Sequence, residues 1–145
     1  MGVTTDKGEI GELEVMADLR RHGHGVAIPL GHSYPFDLIL IRGDSGKLER
    51  VQVKYTTSNG RRLVVRCASH SEWVSYYYRA ANVDWLATFD ATTRVVYYLH
   101  SCVWDGSSGV ALRLAPAANG QGKGIRWASE FVAPTCLSCG AGEGS

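Results

Sequence analysis

The sequence has no long apolar stretch. Although 45% of its 145 residues are hydrophobic, none of its apolar runs approaches the ~20 residues that cross a bilayer. The first residues, M-G-V-T-T-D-K-G, lack the apolar core of a secretory signal. We therefore expect no membrane contact and a cytoplasmic protein. A chain of this length buries roughly two-thirds of its unfolded surface, which predicts one domain.

The net charge is also small, at +1, which argues against a protein that holds nucleic acid by bulk charge alone. Basic residues nevertheless concentrate between positions 47 and 66, where Glu49 is the only acid. These residues are Lys47, Arg50, Lys54, Arg61, Arg62 and Arg66. Such a cluster predicts a phosphate-facing surface, and the alternative is a solvated edge of a sheet.

Cysteine is scarce, with four residues. Cys67 and Cys102 adjoin strand-like segments, and we expect both to be buried as small hydrophobic residues. Cys136-Leu-Ser-Cys139 has the spacing of half a zinc site, but no second pair of cysteines or histidines follows it. The sequence thus predicts no zinc, while a small metal-binding protein built on this pair is a rival interpretation.

A β-hairpin is predicted in the first half of the chain. Positions 38–41 are apolar, positions 50–55 alternate polar and apolar residues, and G-D-S-G between them supplies turn residues. Because residues two apart in a strand share a face, Gln52 and Lys54 point the same way, beside Asp37 at the head of the first strand. The opposite face, which we expect in the core, carries Val51, Val53 and Tyr55.

A helix is predicted before this hairpin, from Asp6 to His22. Asp6 and Glu9 have the spacing of a capping box, and Gly23 follows the last turn. Residues recur at intervals of three and four on the face that we expect to be buried: Ile10, Leu13, Met16, Ala17 and Arg20. Glu12 flanks this face, and its alternative role is that of an ordinary surface carboxylate.

The remaining chain adds strands and two more helices. Strands are predicted at Val26–Leu30, Arg61–Cys67, Asp84–Asp90, Arg94–Leu99 and Val110–Leu114. The third and fourth of these are predicted to form a second hairpin around positions 91–93. Helices are predicted at His70–Ala81 and Arg126–Val132, and a loop is predicted from Cys102 to Gly109. Residues beyond Pro134 are expected to be disordered, so the folded domain is predicted to occupy residues 1–133 and a tail residues 134–145.

Four polar residues from these elements combine into one candidate site: Glu12, Asp37, Gln52 and Lys54. Mg²⁺ prefers hard oxygen ligands, usually one or two carboxylates with waters and phosphate oxygens. Asp37 and the carbonyl oxygen of Gln52 are such ligands, and Glu12 on the helix is placed to complete a second shell. Lys54 is suited to contact a scissile phosphate and the attacking water. Taken alone, Gln52 and Lys54 also fit a solvated strand face.

K-G-E-I-G-E at positions 7–12, F-D-L at 36–38 and Q-V-K at 52–54 resemble the PD-(D/E)XK nuclease superfamily. Within it, the chain resembles the bacterial homing endonucleases carried by group I introns, over nearly its whole length to Val132. The resemblance implies an α/β fold with a restriction-endonuclease-like core, in which an N-terminal helix precedes a mixed β-sheet with a second flanking helix. It also implies Mg²⁺-dependent cleavage of double-stranded DNA at a long, partly symmetric site, with Mn²⁺ as a substitute ion, by a homodimer or homotetramer.

Carried over residue by residue, the resemblance implies that Asp37 is a metal ligand and Lys54 the lysine of the motif. Gln52 takes the position of the usual acid and Glu12 that of the helix acid, and both are implied to contact the metal. Replacing the acid by Gln52 removes one negative charge, which should weaken metal affinity. Relatives of the intron-encoded kind also carry Gln at this position, so the resemblance implies an active subgroup.

For DNA contact the sequence offers seven candidates on turns, strands and a helix face: Arg50, Arg61, Arg62, Arg79, Arg113, Asn119 and Gln121. For the last two, a structural turn is the alternative. The nearest rival activity is that of a Holliday-junction resolvase or repair-type nuclease, which would use the same four site residues. A DNA-binding relative that has lost cleavage is a further interpretation, favoured only by Gln52.

Overall fold

An N-terminal helix packs on one face of a five-stranded mixed sheet, and a second β layer covers the other face. The structure, a computed structural model, describes residues 3–70, 75–116, 119–120 and 124–135. Its helices are α1 (Val3–Arg21), α2 (Ser101–Trp104) and a 3₁₀-helix (Ala128–Phe131). Its strands are β1 (Gly25–Ala27), β2 (Leu38–Ile41), β3 (Leu48–Thr56), β4 (Arg62–Arg66), β5 (Ala68–His70), β6 (Ser75–Tyr77), β7 (Trp85–Asp90), β8 (Val95–His100) and β9 (Gly109–Arg113). In the described ranges, no helix combines the length and the apolar character needed to cross a membrane.

The central sheet has the strand order β1-β2-β3-β7-β8. Short turns join two of its antiparallel pairs, so β2 lies against β3 with Leu38 opposite Val51, and β7 lies against β8. β3 and β7 are parallel, with Val53 opposite Ala87, because a long connection that carries β4 to β6 returns the chain to the end of the sheet at which β3 started. Both predicted hairpins and the α/β class are confirmed.

Alternation along β3 gives the sheet two different faces. Val51 and Val53 are buried against α1, in a core that includes Val15. Gln52 and Lys54 face the second layer, where β4 pairs with β9 and β5 pairs with β6. A second core fills that layer, and its larger members are Leu63, Val65, Tyr78, Leu86, Tyr97, Leu99, Trp104 and Leu112. The predicted division of β3 into a core face and a polar face is therefore confirmed.

Helix α1 begins earlier than predicted and buries a different face. It starts at Val3, so Asp6 lies inside its first turn and does not cap it. The predicted apolar face is wrong, because Ile10 is 45% and Leu13 62% exposed. The buried positions are instead Gly11, Val15 and Leu19, which recur every four residues.

Glycine explains this difference, since a search for apolar periodicity does not count it. Gly11 is buried against β3, and a Cβ built on it would lie 3.5 Å from the Val53 Cγ1 and Tyr55 Cβ atoms. These are ordinary contact distances for a methyl group, so a small residue at this position leaves the helix backbone close to the sheet. The next residue, Glu12, is carried towards the same strand.

The helix predicted at His70–Ala81 is wrong. The chain forms the antiparallel pair β5–β6 instead, with Ala68 opposite Tyr77, and residues 71–74 lie outside the described ranges. Consecutive tyrosines favour extended backbone, and Tyr78 is held in the second core at 3% exposure. Its backbone N–H also bonds the Cys67 carbonyl at 3.0 Å. Tertiary packing thus overrides the helix-like spacing of this segment.

Smaller corrections concern the remaining segments. The strand predicted from Val26 is shorter and is β1, and the loop predicted after Cys102 begins with α2. The closing helix forms as the 3₁₀-helix, and β4 and β9 form as predicted but pair with each other in their own sheet. Cys67 is buried as expected, whereas Cys102, which is disulfide-bonded, is exposed. Cys136, Cys139 and the rest of positions 136–145 lie outside the described residues.

The buried carboxylate of Asp90 ties the end of β7 to the turn that leads from β3 into β4. It is fully buried and accepts hydrogen bonds from Ser58 N (2.9 Å), Ser58 Oγ (2.7 Å), Thr92 N (3.1 Å) and Thr93 Oγ1 (2.8 Å). Burial alone would raise its pKa, but these donors outweigh burial and hold the pKa below its usual value. The turn at positions 57–60 is consequently anchored to the sheet.

We predict that Asp90→Asn lowers the free energy of unfolding at pH 7 by about 2 kcal/mol or more, because an amide NH₂ would face donors that now meet a carboxylate. The depressed pKa of Asp90 contributes stability that is present above pH 3.8, its ordinary value, and is lost as the pH falls through the folded-state pKa. Urea unfolding should therefore show a gap between wild type and variant that narrows below about pH 4. Asp44→Asn, at an exposed turn, is the control; equal losses in both variants would contradict the prediction.

Candidate active site

Asp37 precedes β2 and makes two hydrogen bonds to β3. Its backbone N–H bonds the Val51 carbonyl at 2.8 Å, which continues the pairing with β3 by one residue. Its side-chain Oδ2 then accepts the Val53 N–H at 2.9 Å, in the place where a backbone carbonyl would otherwise lie. The carboxylate is thereby fixed where the β2–β3 pairing ends.

The backbone carbonyl of Val53 provides a second oxygen beside the Asp37 carboxylate, where the β2–β3 pairing ends. The N–H and C=O groups of one residue in an extended strand point to the same side, so the Val53 carbonyl faces the side on which Asp37 lies. The Gln52 side chain reaches this carbonyl, with Nε2 at 3.3 Å from it. Since the two ends of a side-chain amide exchange by half a turn, the amide oxygen of Gln52 can occupy the same position.

Lys54 lies on the Gln52 face and is held from the second layer. Its Nζ atom donates to the Ala68 carbonyl at 3.1 Å and to the Tyr78 hydroxyl at 3.0 Å. Burial lowers the pKa of Lys54, against the opposing effect of the Asp37 carboxylate. The ammonium group therefore sits in a poorly solvated position within electrostatic range of Asp37.

Glu12 approaches the site from α1. Burial raises its pKa, and the negative charges of Asp37 and Glu9 raise it further, while His32 lowers it. Burial likewise raises the pKa of Asp37, opposed by the Val53 N–H and by Lys54. The charged forms of both carboxylates are thus disfavoured, that of Glu12 partly by the charge of Asp37, and a bound cation would relieve this electrostatic cost.

These groups fit a hard divalent cation. The oxygen donors are the carboxylates of Asp37 and Glu12, the Val53 carbonyl and the Gln52 amide. Within the described parts of the chain, no three histidine, cysteine, aspartate or glutamate side chains gather into a metal site. An ion here would therefore depend on amide and backbone oxygens as well as carboxylates, and such a ligand set, completed by water, suits Mg²⁺ better than softer metals.

A basic surface adjoins this site. On the outer face of the β4–β9 pair, Arg62 lies opposite Arg113, and Arg66 lies opposite Gly109. We call these three arginines and the two strands that carry them the arginine ribbon. Small residues between them leave an open groove lined by Arg62 and Arg66. The charge of Arg66 also lowers the pKa of Lys54, so this end of the arginine ribbon lies within electrostatic range of the site.

Two of the other arginines that the sequence predicted as DNA contacts form ion pairs within the protein. Arg50 forms a two-pronged ion pair with Asp84, with both N···O distances at 3.0 Å. Arg79 pairs with Asp105 at 3.2 Å. Arg61 is exposed at the start of the arginine ribbon. Asn119 is exposed as well, and Gln121 lies outside the described residues.

Sequence reasoning missed four residues around the site: Ala68, Tyr78, Arg66 as a neighbour of Lys54, and His32 as a neighbour of Glu12. The alternation in R-L-V-V-R does place Arg62 and Arg66 on one face. Nothing local indicates Tyr78, because it meets Lys54 from 24 residues away.

Two comparisons with known proteins bear on this arrangement. The family model described as PD-(D/E)XK endonuclease matches residues 3–134. The structure of a bacterial homing endonuclease, I-Ssp6803I, superposes with a TM-score of 0.71 at 22% sequence identity, covering 98% of this chain and 97% of that one. At this identity the likeness shows a shared fold. Among curated proteins, none matches the sequence.

We predict that Asp37→Asn raises the melting temperature of the metal-free protein at pH 7. The raised pKa of Asp37 means that its charged form is disfavoured in the folded state. Its stabilising contribution is present below its unfolded-state pKa and is lost as the pH rises through the folded-state pKa. Melting curves in EDTA should therefore separate wild type and variant at pH 7 and bring them together near pH 3. A lower melting temperature for Asp37→Asn at pH 7 would contradict the prediction.

Proposed function

Because the chain belongs to the PD-(D/E)XK endonuclease family, we propose that it is a divalent-metal-dependent endonuclease that hydrolyses phosphodiester bonds in double-stranded DNA. The observation that carries the proposal is the arrangement of Asp37, the Val53 carbonyl and Lys54 around β3, where its pairing with β2 ends. The proposed ion is Mg²⁺, with Mn²⁺ as a substitute. These three groups can hold a cation and a phosphate next to each other.

The side chains divide the chemistry between them. Asp37, Gln52 and the Val53 carbonyl would hold the ion, with Glu12 completing its surroundings from α1. Bound there, a divalent ion supplies neutralisation of phosphate charge and acidification of a water. Lys54 places a positive charge where negative charge develops on the phosphate, in a position already shielded from solvent.

The arginine ribbon is the proposed DNA contact. A two-stranded antiparallel ribbon fits the major groove of B-form DNA, and Arg62, Arg66 and Arg113 provide charge for phosphates or donors for guanine edges. Arg61, at the entry to this ribbon, is included. Arg50 is left out, because its guanidinium is engaged by Asp84 and by the Ala81 carbonyl at 2.7 Å.

The fold is shared with a protein described as a homing endonuclease, and we extend the proposal to a long, partly symmetric target. One such site cuts one strand, so duplex cleavage calls for at least a homodimer with two-fold symmetry, and a homotetramer satisfies the same requirement. The catalytic domain is proposed to span residues 1–133 in a cytoplasmic protein. Selection of cleaved sites from a random duplex library, with four-way junctions as competitors, separates homing from junction resolution.

We predict that the wild type nicks a supercoiled plasmid that carries a site selected from the random library, in Mg²⁺ or Mn²⁺, and is inactive in EDTA. Asp37→Asn and Lys54→Met should each lower the single-turnover rate by about 10²-fold or more, because the first removes a charged ligand of the proposed ion and the second removes the positive charge that faces the reacting phosphate. Lys47→Met is the matched control, since Lys47 is an exposed lysine at the other end of the same hairpin. Undiminished nicking by both site variants, or no metal-dependent nicking by the wild type, would refute the proposal.

A second prediction concerns DNA affinity. Arg62→Ala and Arg66→Ala should each weaken duplex binding and reduce the slope of log K against log salt by about 0.9 for each phosphate that the protein no longer neutralises. Fluorescence anisotropy in Ca²⁺, without cleavage, measures both quantities. Arg21→Ala, on the opposite side of the sheet and 68% exposed in its side chain, should leave the slope unchanged. If all three variants bind alike, the arginine ribbon is not the DNA contact.

A further inference from the structure

The ammonium group of Lys54 is held by hydrogen bonds to residues of the second layer. Of its three N–H donors, one meets the Ala68 carbonyl at 3.1 Å and one meets the Tyr78 hydroxyl at 3.0 Å. The same ammonium group lies 4.6 Å from the centre of the Tyr78 ring. One side chain, Tyr78, therefore holds the nitrogen both by its oxygen and by its ring.

Tyr78 is itself rigidly placed. It is 3% exposed and belongs to the second core, and its backbone N–H bonds the Cys67 carbonyl at 3.0 Å. Ala68 follows Cys67, so both acceptors of the lysine come from the same end of the β5–β6 pair. A flexible lysine side chain loses rotamer entropy when it is ordered, and here the surrounding structure meets that cost before any substrate arrives.

The chemistry of the phenol is suited to this role. A carboxylate hydrogen-bonded to the Lys54 nitrogen in place of Tyr78 would offset its charge, whereas a phenol accepts a hydrogen bond without adding a negative charge. Contact with the aromatic ring adds attraction for the cation without satisfying its remaining N–H. The two hydrogen bonds to Ala68 and Tyr78 set the direction of the third N–H group of Lys54. They thereby fix the direction in which the ammonium group can contact a phosphate.

We propose that Tyr78 is a positioning residue that orients the Lys54 ammonium group towards the scissile phosphate. The proposal rests on the proposed function for its kinetic consequence, but the ordering of Lys54 by Tyr78 can be measured without any DNA. Tyr78 does not touch the substrate in this assignment. It acts only through the lysine.

The kinetic test compares Tyr78→Phe with Tyr98→Phe. Both variants remove one buried phenol oxygen, and Tyr98 bonds Asp18 at 2.6 Å on the α1 side of the sheet, away from the site. Tyr78→Phe should lower the single-turnover rate about tenfold, the usual effect of losing an orienting partner, while the Kd for DNA stays unchanged. Tyr98→Phe should lose stability to a similar degree and keep its rate.

A double-mutant cycle makes the assignment specific. In a Lys54→Arg background, Tyr78→Phe should lower the rate by less than about twofold, because the interaction that it removes is already changed. If Tyr78→Phe slows cleavage equally in both backgrounds, or matches Tyr98→Phe in rate, Tyr78 has only a structural role and the proposal is overturned.

A measurement independent of activity uses lysine labelled with ¹³C at Cε, at one fixed pH. In the wild type, the order parameter of Lys54 should approach that of the backbone, whereas exposed Lys47 should be mobile; Tyr78→Phe should lower the Lys54 value and Tyr98→Phe should not. A mobile Lys54 in the wild type overturns the proposal however well the variants fold. An ordered Lys54 in a protein that never cleaves DNA would instead refute the proposed function and leave the ordering by Tyr78 established.

Discussion

The hydrogen bond from the Val53 N–H to the Asp37 carboxylate is the constraint on which the candidate site depends. It replaces one rung of the β2–β3 ladder by a side chain, so that a carboxylate is held at 2.9 Å from the strand. Because Val53 also carries the carbonyl oxygen and stands between Gln52 and Lys54, three consecutive residues and one anchored acid define the site.

The two layers on either side of β3 have different tasks. The α1 layer is apolar, and the small residue Gly11 lets the helix backbone lie close to β3, with Glu12 next to it in the sequence. The second layer has to receive the polar face of the same strand. It does so by supplying a carbonyl and a phenol to Lys54, which lowers the cost of burying an ammonium group. Such a site is destabilising in isolation and is supported by both cores.

Much of this arrangement could be predicted from local pattern. Alternation in R-V-Q-V-K-Y places Gln52 and Lys54 on one face, and turn residues specify the hairpin that brings Asp37 beside them. The face of α1 could not be predicted, since a glycine at the closest contact contributes no apolar signal. Nor could the β5–β6 pair, where core packing of Tyr78 decides the conformation. Contacts between residues far apart in sequence, such as that of Lys54 with Tyr78, have no local signature at all.

The turn between β3 and the arginine ribbon has little freedom to move, because Ser58 bonds the buried carboxylate of Asp90, which Thr92 and Thr93 also bond. In the proposed function, the protein then fixes a distance along the DNA. This is the distance between the phosphodiester bond that is cut and the bases that the arginine ribbon contacts. Exchanging side chains on the outer face of β4 and β9 would then change which bases are preferred. The distance between the cut bond and the recognised bases would stay the same in such variants.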